Sequence, residues 1–135
     1  MPVKKTKKIL IADDDRAMLQ LLSMVLGRRG YHVTTAMDAY YAVHCAREQT
    51  PDLIILDIHM PAGNGISVQE RMRNVGALCW KPVIYLTGDL SDAMKKNAEQ
   101  AGAFAVIHKP LDVPHLLEMV QAALGEKPTE VTISA

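Results

Sequence analysis

The chain has 135 residues, of which 49% are hydrophobic, enough for one domain with a well-filled core and too few for two. Fifteen basic residues balance fifteen acidic ones, so no global field draws the protein to nucleic acid or to an anionic membrane, and direct nucleic-acid binding is not expected. Unbroken apolar runs reach only four or five residues, far short of a membrane span, which predicts no membrane insertion and a cytoplasmic location.

In chain order, Lys4, Lys5, Lys7 and Lys8 make a basic opening, read as a solvated tail over residues 1–7 ahead of a folded domain at 8–125. "ILIA" (9–12) is the first strand, β-branched and ending at a polar site. The helix after it sets Met18, Leu21, Leu22, Val25 and Leu26 on one face and stops at Arg28, Arg29 and Gly30, with Asp15 as its N-cap. "YHVTT" (31–35) is partly polar and predicts an edge strand. A second helix, capped by Asp38, turns Ala39, Ala42, Val43 and Ala46 inward before Thr50 and Pro51.

"LIIL" (53–56) is the third strand, followed by the turn-forming "MPAGNG" and a weakly patterned helix over about 66–73. Trp80, the single tryptophan, precedes the fourth strand, "VIYL" (83–86), and is expected at the sheet end away from the polar sites. The fourth helix, about 91–100, buries little beyond Ala93, Met94 and Ala98 and closes at Gly102, so it is expected to be the least firmly held. "FAVI" (104–107) is the fifth strand. The last helix starts at Asp112 with Pro114 in its first turn, carries Leu116, Leu117, Val120 and Leu124, and ends at Gly125. Residues 126–135 form a tail with no helical period. Cys45 and Cys79 have neither metal-site nor redox spacing and read as reduced structural thiols.

Five strands alternating with five helices define an α/β domain with right-handed crossovers. The common order for such a domain is flavodoxin-like: a doubly wound five-stranded parallel sheet, 2-1-3-4-5, with the partly polar second strand at an edge. The switch point then lies between the carboxyl ends of strands one and three.

Polar residues gather at those ends. Asp13, Asp14 and Asp15 follow the first strand, Asp57 the third, Thr87 the fourth and Lys109 the fifth. Carboxylates converging in a crevice repel one another unless a cation holds them or their pKa values rise. An all-oxygen donor set with no His or Cys at ligand spacing favours a hard cation such as Mg²⁺. Lysine and hydroxyl beside it suit a phosphate, and the set suits phosphoryl transfer onto an aspartate, chemistry that is mostly positioning and charge neutralisation.

"ILIADDD", "DLIILDIHMP", "VIYLTG" and "HKP", in this order and spacing, resemble the receiver domain of two-component response regulators from about Lys8 to Leu124. The resemblance implies that Asp57 is the phosphoacceptor, served by a sensor histidine kinase or a histidine phosphotransfer protein. It implies that Asp13 and Asp14 hold Mg²⁺ with Asp57 and the backbone carbonyl of His59, Asp14 more directly and Asp13 more through water. Thr87 becomes the switch hydroxyl, Lys109 pairs with the phosphate, and Lys109–Pro110 is a cis bond. No enzymatic turnover is implied beyond the domain's own phosphorylation and slow autodephosphorylation. Output passes to an unidentified protein, from a monomer or a weak phosphorylation-dependent dimer.

Two positions depart from the family pattern or vary within it. Many members carry Tyr or Phe in the fifth strand where this chain has Val106, so the usual aromatic partner of the switch threonine is missing here; Phe104, two residues earlier on the same face, is assigned to the core. His59, like Asp89, stands where the family varies phosphoryl lifetime, either ordering or blocking the hydrolytic water or simply facing solvent. Competing readings are a pseudo-receiver that takes no phosphate, a fragment of a longer regulator, and a dehalogenase-like phosphohydrolase. The last expects a second Asp two residues after the nucleophile, where this chain has His59. A flavin-binding reading is weaker, because no Gly, Ser and Thr phosphate loop follows the first strand.

Overall fold

Each β-branched run becomes a strand because it can be covered on both faces. In the computed structural model, which describes residues 5–60, 65–76, 78, 80–88 and 91–126, the order is β1 (Lys8–Ala12), α1 (Arg16–Arg28), β2 (His32–Ala36), α2 (Ala39–Gln49), β3 (Leu53–Asp57), α3 (Gly65–Arg73), β4 (Val83–Thr87), α4 (Asp92–Gln100), β5 (Ala105–His108) and α5 (Val113–Ala123). The sheet runs β2-β1-β3-β4-β5, all parallel, which is the expected doubly wound order. Every residue of β3 and β4 is buried, whereas β2, at one edge, is buried only at Ala36.

Strand alternation divides the core in two. Leu10 and Ala12 of β1 face the layer of α2, α3 and α4, with Ala42, Ala46, Val68, Met72 and Ala98. Ile9 and Ile11 face α1 and α5, with Leu22, Leu26, Leu116 and Val120. Side-chain caps start three of the helices: Asp15 accepts from the N–H of Ala17 and Met18, Asp38 from Tyr41 and Asp112 from His115.

The structure corrects three readings. In α1 the buried positions are Leu19, Leu22 and Leu26, and Leu21 is 38% exposed, because the sheet turns the Leu19 rim of the apolar stripe inward. Ala93 is exposed and Ala98 alone anchors α4 among the side chains described there. Phe104 is not core: it lies just before β5 and is 46% exposed. Gly63, Cys79 and Asp89 lie outside the described residues, and Cys45 is a buried free thiol. Glu126 is held to the domain, accepting from the Tyr31 hydroxyl at 3.0 Å.

Candidate phosphoacceptor site

The site grows from the carboxyl edge of the sheet. Asp57 is the last residue of β3, and the backbone Ile58 N–H donates to Leu86 O at 3.1 Å, so the rigid ladder continues one residue past it. Asp13 follows β1 directly and is tied by its N–H to Ala36 O of β2 at 3.0 Å. Thr87 closes β4, buried, and its carbonyl accepts from Lys109 N–H at 2.8 Å. That bond puts the first residue after β5 beside the end of β4.

Asp13 is completely buried; its Oδ1 accepts the Asp15 N–H at 2.9 Å, a local turn that leaves Oδ2 facing the crevice. Lys109 Nζ lies 3.0 Å from that Oδ2 and 3.4 Å from Asp57 Oδ2. The contact with Asp13 is a charge contact without hydrogen-bond alignment, so Asp13 Oδ2 remains without an aligned donor. Asp57 is 5% exposed, and its Oδ1 accepts the His59 N–H at 3.1 Å. The exposed Asp14 completes the cluster: carboxylate oxygens of Asp13, Asp14 and Asp57 lie within 4.8 Å of one another.

Electrostatics follow from this crowding. Burial pushes the Asp57 carboxyl above its ordinary range, and the Asp13 charge pushes it further; the His59 N–H and the Lys109 ammonium oppose the rise. Burial draws Lys109 down, but Asp13 and Asp57 outweigh it and hold the lysine above its ordinary value. Two buried carboxylates thus share one ammonium. An all-oxygen set of three carboxylates, one with a buried oxygen lacking an aligned donor, fits a small hard dication.

Of the residues marked in the sequence, Asp13, Asp14, Asp57 and Lys109 meet in one crevice. Thr87 borders it at the end of the adjoining strand. His59 enters through its backbone N–H while its side chain is exposed. That backbone contact had no signal in the sequence, since any non-proline residue supplies an N–H. The Lys109–Pro110 peptide is cis. Val106 is partly buried against the α2–α3–α4 core and pairs in register with Tyr85, whose hydroxyl donates to Gln69 Oε1 of α3. Neither Tyr85 nor Gln69 was singled out in the sequence, because a tyrosine in a buried strand reads as ordinary core.

Fold and crevice together define a doubly wound parallel α/β domain with an acidic, lysine-containing site at its switch point. The family model of the response regulator receiver domain matches residues 9–121. The polar-differentiation response regulator DivK of Brucella ovis is 30% identical over 121 residues, covering 90% of this chain and 98% of that protein. The structure of the chemotaxis protein CheY4 of Vibrio cholerae superposes with a TM-score of 0.84 at 30% identity, over 89% of this chain and 100% of that one. A CheY-like receiver domain protein from Methanospirillum hungatei gives 0.84 at 30% identity, over 90% and 95%. The chain belongs to the response regulator receiver domain family, the signalling domain of two-component systems.

Proposed function

We propose that this receiver is phosphorylated on Asp57 in a Mg²⁺-dependent reaction and that the acyl phosphate changes which protein the domain binds. The donor is a phosphohistidine on a sensor histidine kinase or a histidine phosphotransfer protein. The observation that carries the reading is the joint placement of Asp57, Lys109 and the Asp13–Asp14 pair in one crevice.

In the transfer, an Asp57 carboxylate oxygen forms the new P–O bond as the P–N bond to the donor imidazole breaks, and the imidazole nitrogen takes a proton. The His59 N–H fixes one oxygen of the nucleophile, so the carboxylate reacts from a held orientation. Asp13, Asp14 and Asp57, with the His59 carbonyl, would hold Mg²⁺, which supplies charge neutralisation for the phosphoryl oxygens. Lys109, already between two carboxylates, needs only a short movement to pair with a phosphoryl oxygen. The Thr87 hydroxyl donates to another and draws the end of β4 with it. Val106, a smaller side chain than the family's usual aromatic, leaves the readout to β4 and the segment after it. His59 stands where a side chain orders or blocks the water that hydrolyses the product.

This reading makes residues 8–125 the receiver, between a basic tail at 1–7 and a second tail at 126–135. No helix among the described residues is long and apolar enough to cross a membrane. The proposed setting is the cytoplasm, with a monomer or a weak phosphorylation-dependent dimer and no direct contact with nucleic acid. The test is intact-protein mass after incubation with acetyl phosphate and Mg²⁺. One phosphoryl adduct is expected for the parent and none for Asp57→Asn; no adduct in the parent from acetyl phosphate or a phosphohistidine donor would make the domain a pseudo-receiver.

A further inference from the structure

At the other end of the sheet, below the starts of β4 and β5, an open cavity of about 790 Å³ lies between α3 and the segments entering those strands. Its volume falls within the usual range for small-molecule sites. Two features set it apart from an ordinary surface fold. Trp80 and Phe104, both lining it, are 92% and 46% exposed, so two large aromatic surfaces stand without cover beside a cavity. Its charged lining residues are Arg73 and Lys81, and no carboxylate lines it among the described residues.

The two cations are not equivalent. Lys81 lies 3.6 Å from Asp52 Oδ1 and is partly neutralised there. Arg73 has no carboxylate partner among the described residues, and its guanidinium lies over Gly102, where a Cβ would collide with Nη2. Gly102 has φ +90°, so the bare backbone that accommodates the guanidinium also needs glycine for its own conformation. One turn before Arg73 on the same face of α3, Gln69 is 4% exposed and its Oε1 already accepts from the Tyr85 hydroxyl; what it can offer an occupant is its amide N–H. The cavity therefore combines aromatic surfaces, a planar two-pronged cation and a neutral donor.

We infer that this cavity binds a small planar aromatic anion, whose ring lies against Trp80 and Phe104 and whose carboxylate or other oxyanion pairs with the Arg73 guanidinium. The donor fork of arginine matches an oxyanion in two parallel bonds, and aromatic side chains gain most from covering a flat ring. The site is separate from the Asp57 crevice, and binding there does not depend on phosphorylation.

Calorimetric titration of the intact protein with 2-naphthoate, and with the neutral, similarly shaped 2-naphthamide, tests the inference. Saturable binding of one naphthoate is expected, with the amide weaker by about tenfold or more, the difference made by a charge-assisted pair. Arg73→Gln should bring naphthoate down to the amide's affinity and leave the amide unchanged. Trp80→Ala, an exposed position with little bearing on folding, should weaken both. The inference is overturned by no saturable binding up to millimolar naphthoate, by equal affinity for acid and amide, or by naphthoate binding that Arg73→Gln leaves intact. None of these outcomes touches the phosphoacceptor reading, which is tested by mass.

Discussion

Lys109 and Asp13 stand 96 positions apart in the chain and 3.0 Å apart in the fold, joined across the carboxyl ends of β5 and β1. Asp13 is fully buried and the lysine side chain three-quarters so, which makes the pair sensitive to the loss of either member. Lys109→Met removes the ammonium and leaves the Asp13 oxygen with no counter-charge. Urea unfolding without divalent metal should show a loss of about 1–3 kcal/mol at neutral pH, the usual cost of a buried polar group left unpaired. Adding Asp13→Asn to that variant should recover part of the loss. A Lys109→Met protein as stable as the parent would mean that the contact contributes nothing to the fold.

Asp57 gives the pH dependence its sign. Its native pKa is raised above the ordinary 3.8, so the native state holds this proton more tightly than the unfolded chain does. The resulting stability is fully present below about 3.8 and is lost as pH rises through the higher native value. At neutral pH the ionised Asp57 is therefore a cost, and Asp57→Asn should melt at a higher temperature than the parent in the absence of metal. The gap should close as the pH is lowered toward 3.8. Mg²⁺ should reverse the order by stabilising the parent more than the variant, since binding to the native state alone adds to its stability. Thermal melts at several pH values, with chelator and with Mg²⁺, give both comparisons; a variant less stable than the parent in chelator at neutral pH would contradict the sign.

Tyr85 and Gln69 tie β4 to α3 inside the core. Tyr85→Phe keeps the ring and removes the hydroxyl, leaving the nearly buried Gln69 oxygen without that donor. A loss of about 1–2 kcal/mol is expected in urea unfolding. Gln69→Leu in the Tyr85→Phe background should cost less than Gln69→Leu alone, and the double-mutant cycle measures the coupling. Additive losses would show that the two side chains do not act as a pair.

How much of this was legible in the sequence depends on what decides each feature. β3 and β4 were readable because strands covered on both faces need continuous apolar runs, and "LIIL" and "VIYL" have few other uses. The positions of Asp57 and Thr87 were readable because each directly follows such a run, and that of Lys109 because it comes directly after the fifth strand, at the edge where parallel sheets present their chemistry. The rim of α1 that turns inward was not: Leu19 and Leu21 flank one apolar stripe, and only contact with the sheet selects Leu19. Phe104 misled because hydrophobicity predicts burial one way only, and this ring lies just ahead of its strand, beside an open cavity. The Gln69–Tyr85 bond joins residues 16 apart on two elements whose facing side chains no local pattern specifies.

In the proposed reaction the phosphoryl group resides on Asp57. After incubation with acetyl phosphate and Mg²⁺, borohydride reduction converts an aspartyl phosphate to homoserine, and tandem mass spectrometry of the digest locates it. Homoserine is expected at position 57, with Asp13 and Asp14 unmodified. Homoserine at 13 or 14, or no homoserine in a protein that had gained the phosphoryl mass, would contradict that assignment.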